Sequence, residues 1–213
     1  IHVKEGGQMH FGTINAPGEN VVTIFNKTAL LEKDAQLFSA SGFFGGMLTL
    51  SNINTILQGN GSSSEDYEVI FGNGSQNFGV ASNLFHEGIS TRGKVMTKGI
   101  FDGRSKGLFR GMINIDKGAK GSNSYLSGHS ILLSKDASAD AIPGLQIENN
   151  DVKATHSASV AQISEEQIFY LMARGFSANE ARKLIASGFL EPLIRQIPLK
   201  DVALVIKGLF ELK

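Results

Sequence analysis

Five histidines are the side chains of this chain best suited to bind a metal ion or to transfer a proton, namely His2, His10, His86, His129 and His156. No two of them are four residues apart, and the chain contains no cysteine, so neither a helical histidine pair nor a thiolate is available as a ligand. The sequence also lacks a P-loop, a GxSxG motif and an HExxH motif. These absences disfavour nucleotide hydrolysis, serine-hydrolase chemistry and zinc-peptidase chemistry.

His156 lies in a segment of alternating residue types, Val152–Val160. On a β-strand it would share one face with Ala154 and Ala158, while serine, threonine and lysine occupy the other face. Two interpretations follow. His156 is a core residue bonded to a backbone carbonyl, or it is a metal ligand or proton carrier at a buried interface. His86 stands beside Glu87 at the end of another predicted strand, where we expect a hydrogen-bonded corner.

Short β-rich segments alternate with glycine, asparagine and aspartate turns up to about residue 163. The predicted strands are Val21–Phe25, Gln36–Ala40, Met47–Leu50, Glu68–Phe71, Asn77–Phe85, Lys94–Phe101, Leu108–Ile115, Ser130–Ser134, Leu145–Glu148 and Val152–Val160. The triplets that begin at Lys33, Lys117 and Lys135 resemble one corner used several times, as in a solenoid. A sandwich or barrel would give a similar pattern, and the pattern alone leaves both open.

The composition is that of an ordinary globular protein. Twenty basic residues balance twenty acidic ones, which disfavours nucleic acid as the main partner. No apolar run approaches the roughly 20 residues that span a bilayer, and no signal peptide is visible, so we expect a cytoplasmic protein. Because the chain begins at Ile1, we also expect that it is part of a longer protein.

The sequence becomes helical after residue 163. Capping boxes at Ser164-Glu165-Glu166-Gln167 and Ser177-Ala178-Asn179-Glu180 predict two helices that end near Gly175 and Gly188. A third segment lies around Pro192, and a fourth helix begins near Pro198. The fourth carries one apolar stripe, which either packs on its own domain or docks a partner. The stripe consists of Val202, Val205, Ile206, Leu209 and Phe210.

Long, ordered motifs resemble the SufB/SufD family of iron–sulfur cluster assembly scaffolds. The densest are Asp151-Val152-Lys153-Ala154-Thr155-His156-Ser157-Ala158, Ser164 to Leu171, and Arg174-Gly175-Phe176. Further matches are Ile70 to Phe78, Phe109-Arg110-Gly111, Leu132-Leu133-Ser134 and Pro143 to Ile147. The resemblance implies a mainly β fold, a right-handed parallel β-helix (solenoid) over residues 1–163, and a C-terminal α-helical region over residues 164–213.

The same resemblance implies partners and a site. Members of the family pair through the ends of their β-helices and dock an ABC-type ATPase, SufC, through the helical tail. His156 matches the histidine that SufD-like members carry near the dimer interface. The acceptor cysteine of SufB-like members would fall near His129. Because this chain has no cysteine, it resembles the SufD-like members more than the SufB-like ones. Imidazole from His156 or His129 could ligate iron of a transient iron–sulfur cluster at the subunit interface.

The sequence therefore predicts a non-enzymatic scaffold that pairs with a SufB-like subunit or with itself and binds a SufC-like ATPase. It further predicts that removing the tail abolishes ATPase binding and leaves the β-helix folded. Two alternatives remain: a scaffold homolog without cluster chemistry, and a β-helical carbohydrate-active enzyme. The second would need convergent carboxylates on one outer face, whereas Asp102, Asp116 and Asp136 are scattered along the sequence.

Overall fold

The structure is a computed structural model that describes the backbone of residues 1–211 and the side chains of residues 1–210. Twelve strands form two parallel six-stranded sheets. In spatial order, sheet A contains β1 (His2–Val3), β3 (Val22–Leu31), β5 (Leu48–Leu57), β7 (Asn77–His86), β9 (Lys106–Ile115) and β11 (Ser138–Ile147). Sheet B contains β12 (Lys153–Gln162), β10 (Asn123–Leu132), β8 (Arg92–Phe101), β6 (Ser63–Gly72), β4 (Gln36–Phe43) and β2 (Gln8–Asn15).

The chain is a parallel β-solenoid, because successive strands alternate between the sheets and each pairs in parallel with the strand one turn earlier. Ser63 lies beside Gln36, Arg92 lies beside Ser63, and Asn123 lies beside Arg92. This parallel pairing excludes the sandwich, whose sheets are antiparallel. Each of the ten predicted strands overlaps one of β3 to β12, but most were drawn too short, and β1 and β2 were missed.

One corner of the solenoid repeats through backbone conformation rather than through sequence. Asp34, Gly61, Ser90 and Gly121 all have positive φ between 56° and 73°. The amide of each of the first three donates to a carbonyl in the next turn, at Asn60, Ile89 and Lys120. Lys33 and Lys117 lie at this corner but Lys135 lies at the opposite one, so the predicted shared corner holds for two of the three Lys triplets and is wrong for the third.

The interior contains charged residues as well as aliphatic ones. Lys27 of sheet A donates to Asp66 of sheet B at 2.5 Å and to Ser39 at 2.6 Å, and both charged side chains are almost fully buried. Glu68 accepts from Ser82 and Thr97 at 2.6 Å each. Burial raises the pKa of the Glu68 carboxyl above its usual range, and these two hydroxyl bonds oppose that shift only in part.

His86 occupies a buried corner, as the sequence predicts. Its Nδ1 lies 2.8 Å from the Thr91 hydroxyl, and its Nε2 lies 2.9 Å from the Ser124 hydroxyl. The partners are hydroxyls rather than the adjacent carboxylate of Glu87. Burial lowers the pKa of His86 to about 4, so its neutral form is favoured near neutral pH.

Three helices follow the last strand: α1 (Glu165–Met172), α2 (Ala178–Ile194) and α3 (Lys200–Glu211). Ser164 caps α1, and Ser177 with Glu180 forms a reciprocal capping box on α2. Gly175 has φ of 97° after α1, as a helix-ending glycine often does. The second and third predicted segments are one helix, because α2 continues through Pro192 with Leu190 and Leu193 buried.

The helices cover the outer face of sheet B and share a hydrophobic core with it. Ile206 lies over Gly42, where an added Cβ would be 3.2 Å from its side chain, and the ring of Phe210 packs edge-on against Phe71 at 5.5 Å. None of the helices that the structure describes covers the outer face of sheet A. No helix among the described residues is long and apolar enough to cross a membrane.

Candidate functional surfaces at the open end and on the helices

The last turn of the solenoid is open. β11 and β12 are the final strands of their sheets, so each leaves one edge without a strand partner. Leu145 and Ile147 of β11 and Val160 of β12 point inward but are 37%, 43% and 38% exposed. The residues beside Leu145 and Ile147 one turn earlier, Ile113 and Ile115, are fully buried. We call the two edges and these three inward-facing side chains the open end.

His156 belongs to the open end. It pairs in register with the fully buried Leu126 and therefore has inward parity, as predicted, but its side chain is exposed. The interpretation as a core histidine is therefore wrong for residues 1–211, in which no later turn covers His156. Burial of this imidazole requires another chain or segment over the open end.

His129 lies on the opposite face of sheet B. It pairs with Ser159, whose hydroxyl is 2.7 Å from Nδ1, and Nε2 lies 3.3 Å from the Ser157 hydroxyl. Burial and the nearby Lys98 ammonium lower the pKa of His129. Because His129 faces outward and His156 inward, the structure does not bring the two predicted metal ligands together. Within residues 1–210 no cluster of three His, Asp or Glu side chains could hold a metal ion.

Four residues of the apolar stripe on α3 pack on the chain's own domain. Ile206 and Phe210 are buried, and Val202 and Leu209 are partly buried against the same core. Only Val205 among the five is exposed. Of the two roles left open for the stripe, intramolecular packing is the one that the structure shows for these four side chains.

Exposed aromatic side chains occur instead on and after α1. Phe169 is 72% exposed, and Tyr170, Met172 and Phe176 are also exposed. Tyr170 stacks with Arg174, whose guanidinium lies 5.0 Å from the ring centre. A cavity of about 490 Å³ lies beside Tyr170, Leu171 and Ile185. We call Phe169, Tyr170, Met172 and Phe176 the α1 surface.

A groove on sheet B offers basic residues but a single carboxylate. Arg92, Lys94 and Glu65 line a cavity of about 380 Å³ together with Phe38 and Tyr125. Glu65 lies 3.8 Å from the Lys94 ammonium and accepts a hydrogen bond from Tyr67. The paired carboxylates that a glycoside hydrolase uses are not present in this groove.

The sequence interpretation missed Leu145, Ile147 and the α1 surface. A signal for the first two was present, since they share strand parity with Ala139 and Ala141. No such signal marks Phe169, because α1 is short and its apolar residues surround the helix.

The fold and these surfaces define a β-solenoid protein with an open last turn and a helical cover on one sheet. A family profile described as "SUF system FeS cluster assembly, SufBD core domain" matches residues 1–189, and the chain belongs to this family. It is 28% identical over 200 residues to iron-sulfur cluster assembly SufBD family proteins of Staphylococcus saprophyticus, Staphylococcus epidermidis and Staphylococcus aureus. Each match covers 94% of this chain and 43% of the relative, so the chain spans less than half the length of these relatives.

Proposed function

We propose that this chain is a scaffold subunit of a SUF-type iron–sulfur cluster assembly complex in the cytoplasm, with no catalytic reaction of its own. The observation that carries the proposal is the open end, where apolar positions that are buried one turn earlier are exposed beside two unpaired edges. Such an edge favours pairing with another chain. We assign the open end to a SufB-like subunit or to a second copy of this chain.

The iron–sulfur cluster would be the cargo of this complex. His156 offers one imidazole at the open end, and a partner would have to supply the sulfur ligands because the chain has no cysteine. The missing thiolate also supports a SufD-like rather than a SufB-like role. His129 is the weaker candidate ligand, since both of its ring nitrogens face serine hydroxyls on the outer face. A scaffold without cluster chemistry would use the same open end but leave His156 without a ligand role.

We assign docking of the SufC-like ATPase to the α1 surface, with Val205 as the remaining contact from the stripe on α3. Large exposed aromatic side chains are typical anchors of protein interfaces. Deletion of the tail is a poor test, because the helices share a core with Val69, Phe71 and Ile100 of sheet B. Its removal would expose that core, so a loss of ATPase binding by the truncated chain would not distinguish a missing docking site from a destabilised β-helix. Point substitutions avoid this difficulty.

Pairing through the open end predicts that Val160→Asp weakens the complex with a SufB-like subunit at least about a hundredfold, because the interface would bury an unpaired carboxylate. The measurement is the mass in solution of this chain alone and mixed with that subunit. Ala161→Asp is the matched control, since Ala161 is the next residue and points to the outer face. Equal losses for both variants, or no complex with the unsubstituted chain, would contradict the assignment.

Docking through the α1 surface predicts that Phe169→Asp lowers the affinity for a SufC-like ATPase by at least about tenfold. Pairing through the open end should be unchanged, because none of the three inward-facing side chains of the open end belongs to α1. Binding can be followed by titration calorimetry. Leu204→Asp, on the exposed side of α3, is the control. If Leu204→Asp abolished binding while Phe169→Asp did not, the docking site would lie on α3 and the α1 assignment would be wrong.

A further inference from the structure

The outer face of sheet A is a broad apolar surface that no element in the described part of the chain covers. Val22, Ile24, Leu50, Met112 and Ile142 point outward from it and are exposed. The corresponding face of sheet B is covered by α2 and α3. Large exposed apolar patches on a folded protein mark interaction sites.

This face is free of charge over the described strands β3, β5 and β7. Its outward residues there are aliphatic, aromatic, small or amide side chains: Val22, Ile24, Asn26, Thr28, Leu30, Leu48, Leu50, Asn52, Asn54, Ile56, Asn77, Gly79, Ala81, Asn83 and Phe85. The charged side chains of the face, Lys106, Arg110 and Asp140, lie on β9 and β11. The outer faces of β3, β5 and β7 therefore offer no charged side chain to a partner that is recognised by charge.

The face also carries a recess, and Ile24 projects at its rim. Ile24 is 71% exposed at one side. Two strands away, Gly79 and Ala81 form the floor of a recess of about 330 Å³ between Leu50 and Leu108. In a two-fold symmetric pair, a projection and a recess on the same face are used twice, because each copy inserts its projection into the other copy's recess.

We propose that the outer face of sheet A binds the same face of a second copy of this chain. The charged side chains of the face are few and of both signs, and asparagine amides both donate and accept, as the Asn83 and Asn54 side chains do at 2.9 Å. Five strands at about 4.8 Å spacing and about 30 Å length present roughly 700–800 Å². That matches the roughly 800 Å² per partner of a stable protein interface. This contact is separate from the open end, so a chain that uses both would form assemblies larger than a pair.

Because the chain contains no cysteine, any disulfide must form through a cysteine introduced for the test. Asn26, Asn52 and Arg110 lie in one row across β3, β5 and β9, and each is replaced by cysteine in a separate variant. We expect an oxidised disulfide-linked dimer for at least one of them at micromolar concentration. Leu204→Cys, on exposed α3, should form no disulfide-linked dimer under the same conditions. No dimer above the level of Leu204→Cys at any of the three positions would overturn the proposal.

Sedimentation equilibrium gives the second readout. Ile24→Lys with Leu50→Lys adds like charges at paired positions of this face, and both side chains are exposed, so the fold should tolerate them. We expect self-association to weaken at least about a hundredfold, whereas Val160→Asp leaves this contact intact. If Val160→Asp abolished all self-association and the double lysine variant had no effect, the face would have a different occupant and the inference would be wrong. The open-end assignment would survive that result.

Discussion

Replacing Lys27 with methionine should destabilise the fold by about 3–5 kcal/mol, because Asp66 would remain buried without its cation. Both side chains are almost fully buried, and the 2.5 Å contact joins sheet A to sheet B. The hydroxyls of Ser39, Thr55 and Ser64 also bond the Asp66 carboxylate, the last two at 3.3 and 3.4 Å, but neutral hydroxyls supply no positive charge to balance it. The measurement is the free energy of unfolding from urea titration.

Two further variants serve as controls. Lys27→Met combined with Asp66→Asn should recover most of the loss, because no uncompensated charge remains. Lys106→Met removes an exposed lysine from the outer face of sheet A and should change stability by less than about 0.5 kcal/mol. A loss below about 1 kcal/mol for Lys27→Met would mean that the buried pair contributes little.

Strand parity in the sequence indicates which side chains point inward, but it does not indicate which other side chains they contact. Lys27 shares strand parity with Phe25 and Ala29, which would have placed it inside, but the predicted strand ended at Phe25. Its partner Asp66 is 39 residues away, and their contact depends on how many residues each corner contains. The same uncertainty applies to the histidines. The register that pairs His129 with Ser159, and His156 with Leu126, was not visible in the sequence.

Local signals were sufficient for the helix starts and misleading for one helix end. Ser177 and Glu180 specify the beginning of α2 through contacts within four residues. Gly188 and Pro192 are helix-breaking residues, yet α2 includes both. Leu190 and Leu193 are fully buried in the core shared with sheet B, and this packing outweighs the local preference. The burial of Ile206 and Phe210 has the same origin, because the apolar face of α3 lies on sheet B.

Replacing Gly59 with alanine should destabilise the solenoid by at least about 3 kcal/mol, since the new methyl group would overlap the backbone of the preceding turn. A Cβ at Gly59 would lie 1.9 Å from the Lys33 nitrogen and 2.2 Å from the Glu32 carbonyl carbon. A side chain could rotate away, but this backbone is fixed by the bonds from the Gln58 and Gly59 amides to the Leu31 carbonyl, at 3.1 and 2.9 Å. The two turns would have to separate at this corner.

Gly118→Ala is the matched control for this prediction. Gly118 also lies in a corner, but no atom lies within 4 Å of the position its Cβ would take, and its φ is not in the left-handed region. Alanine there should leave stability unchanged or raise it by up to about 1 kcal/mol, because it reduces the freedom of the unfolded chain. The two variants differ by the same single methyl group, so a gap in their unfolding free energies measures the stacking of one turn on the next. Equal stabilities would show that the corner relaxes freely, and the tight backbone contact at Gly59 would then contribute nothing to the fold.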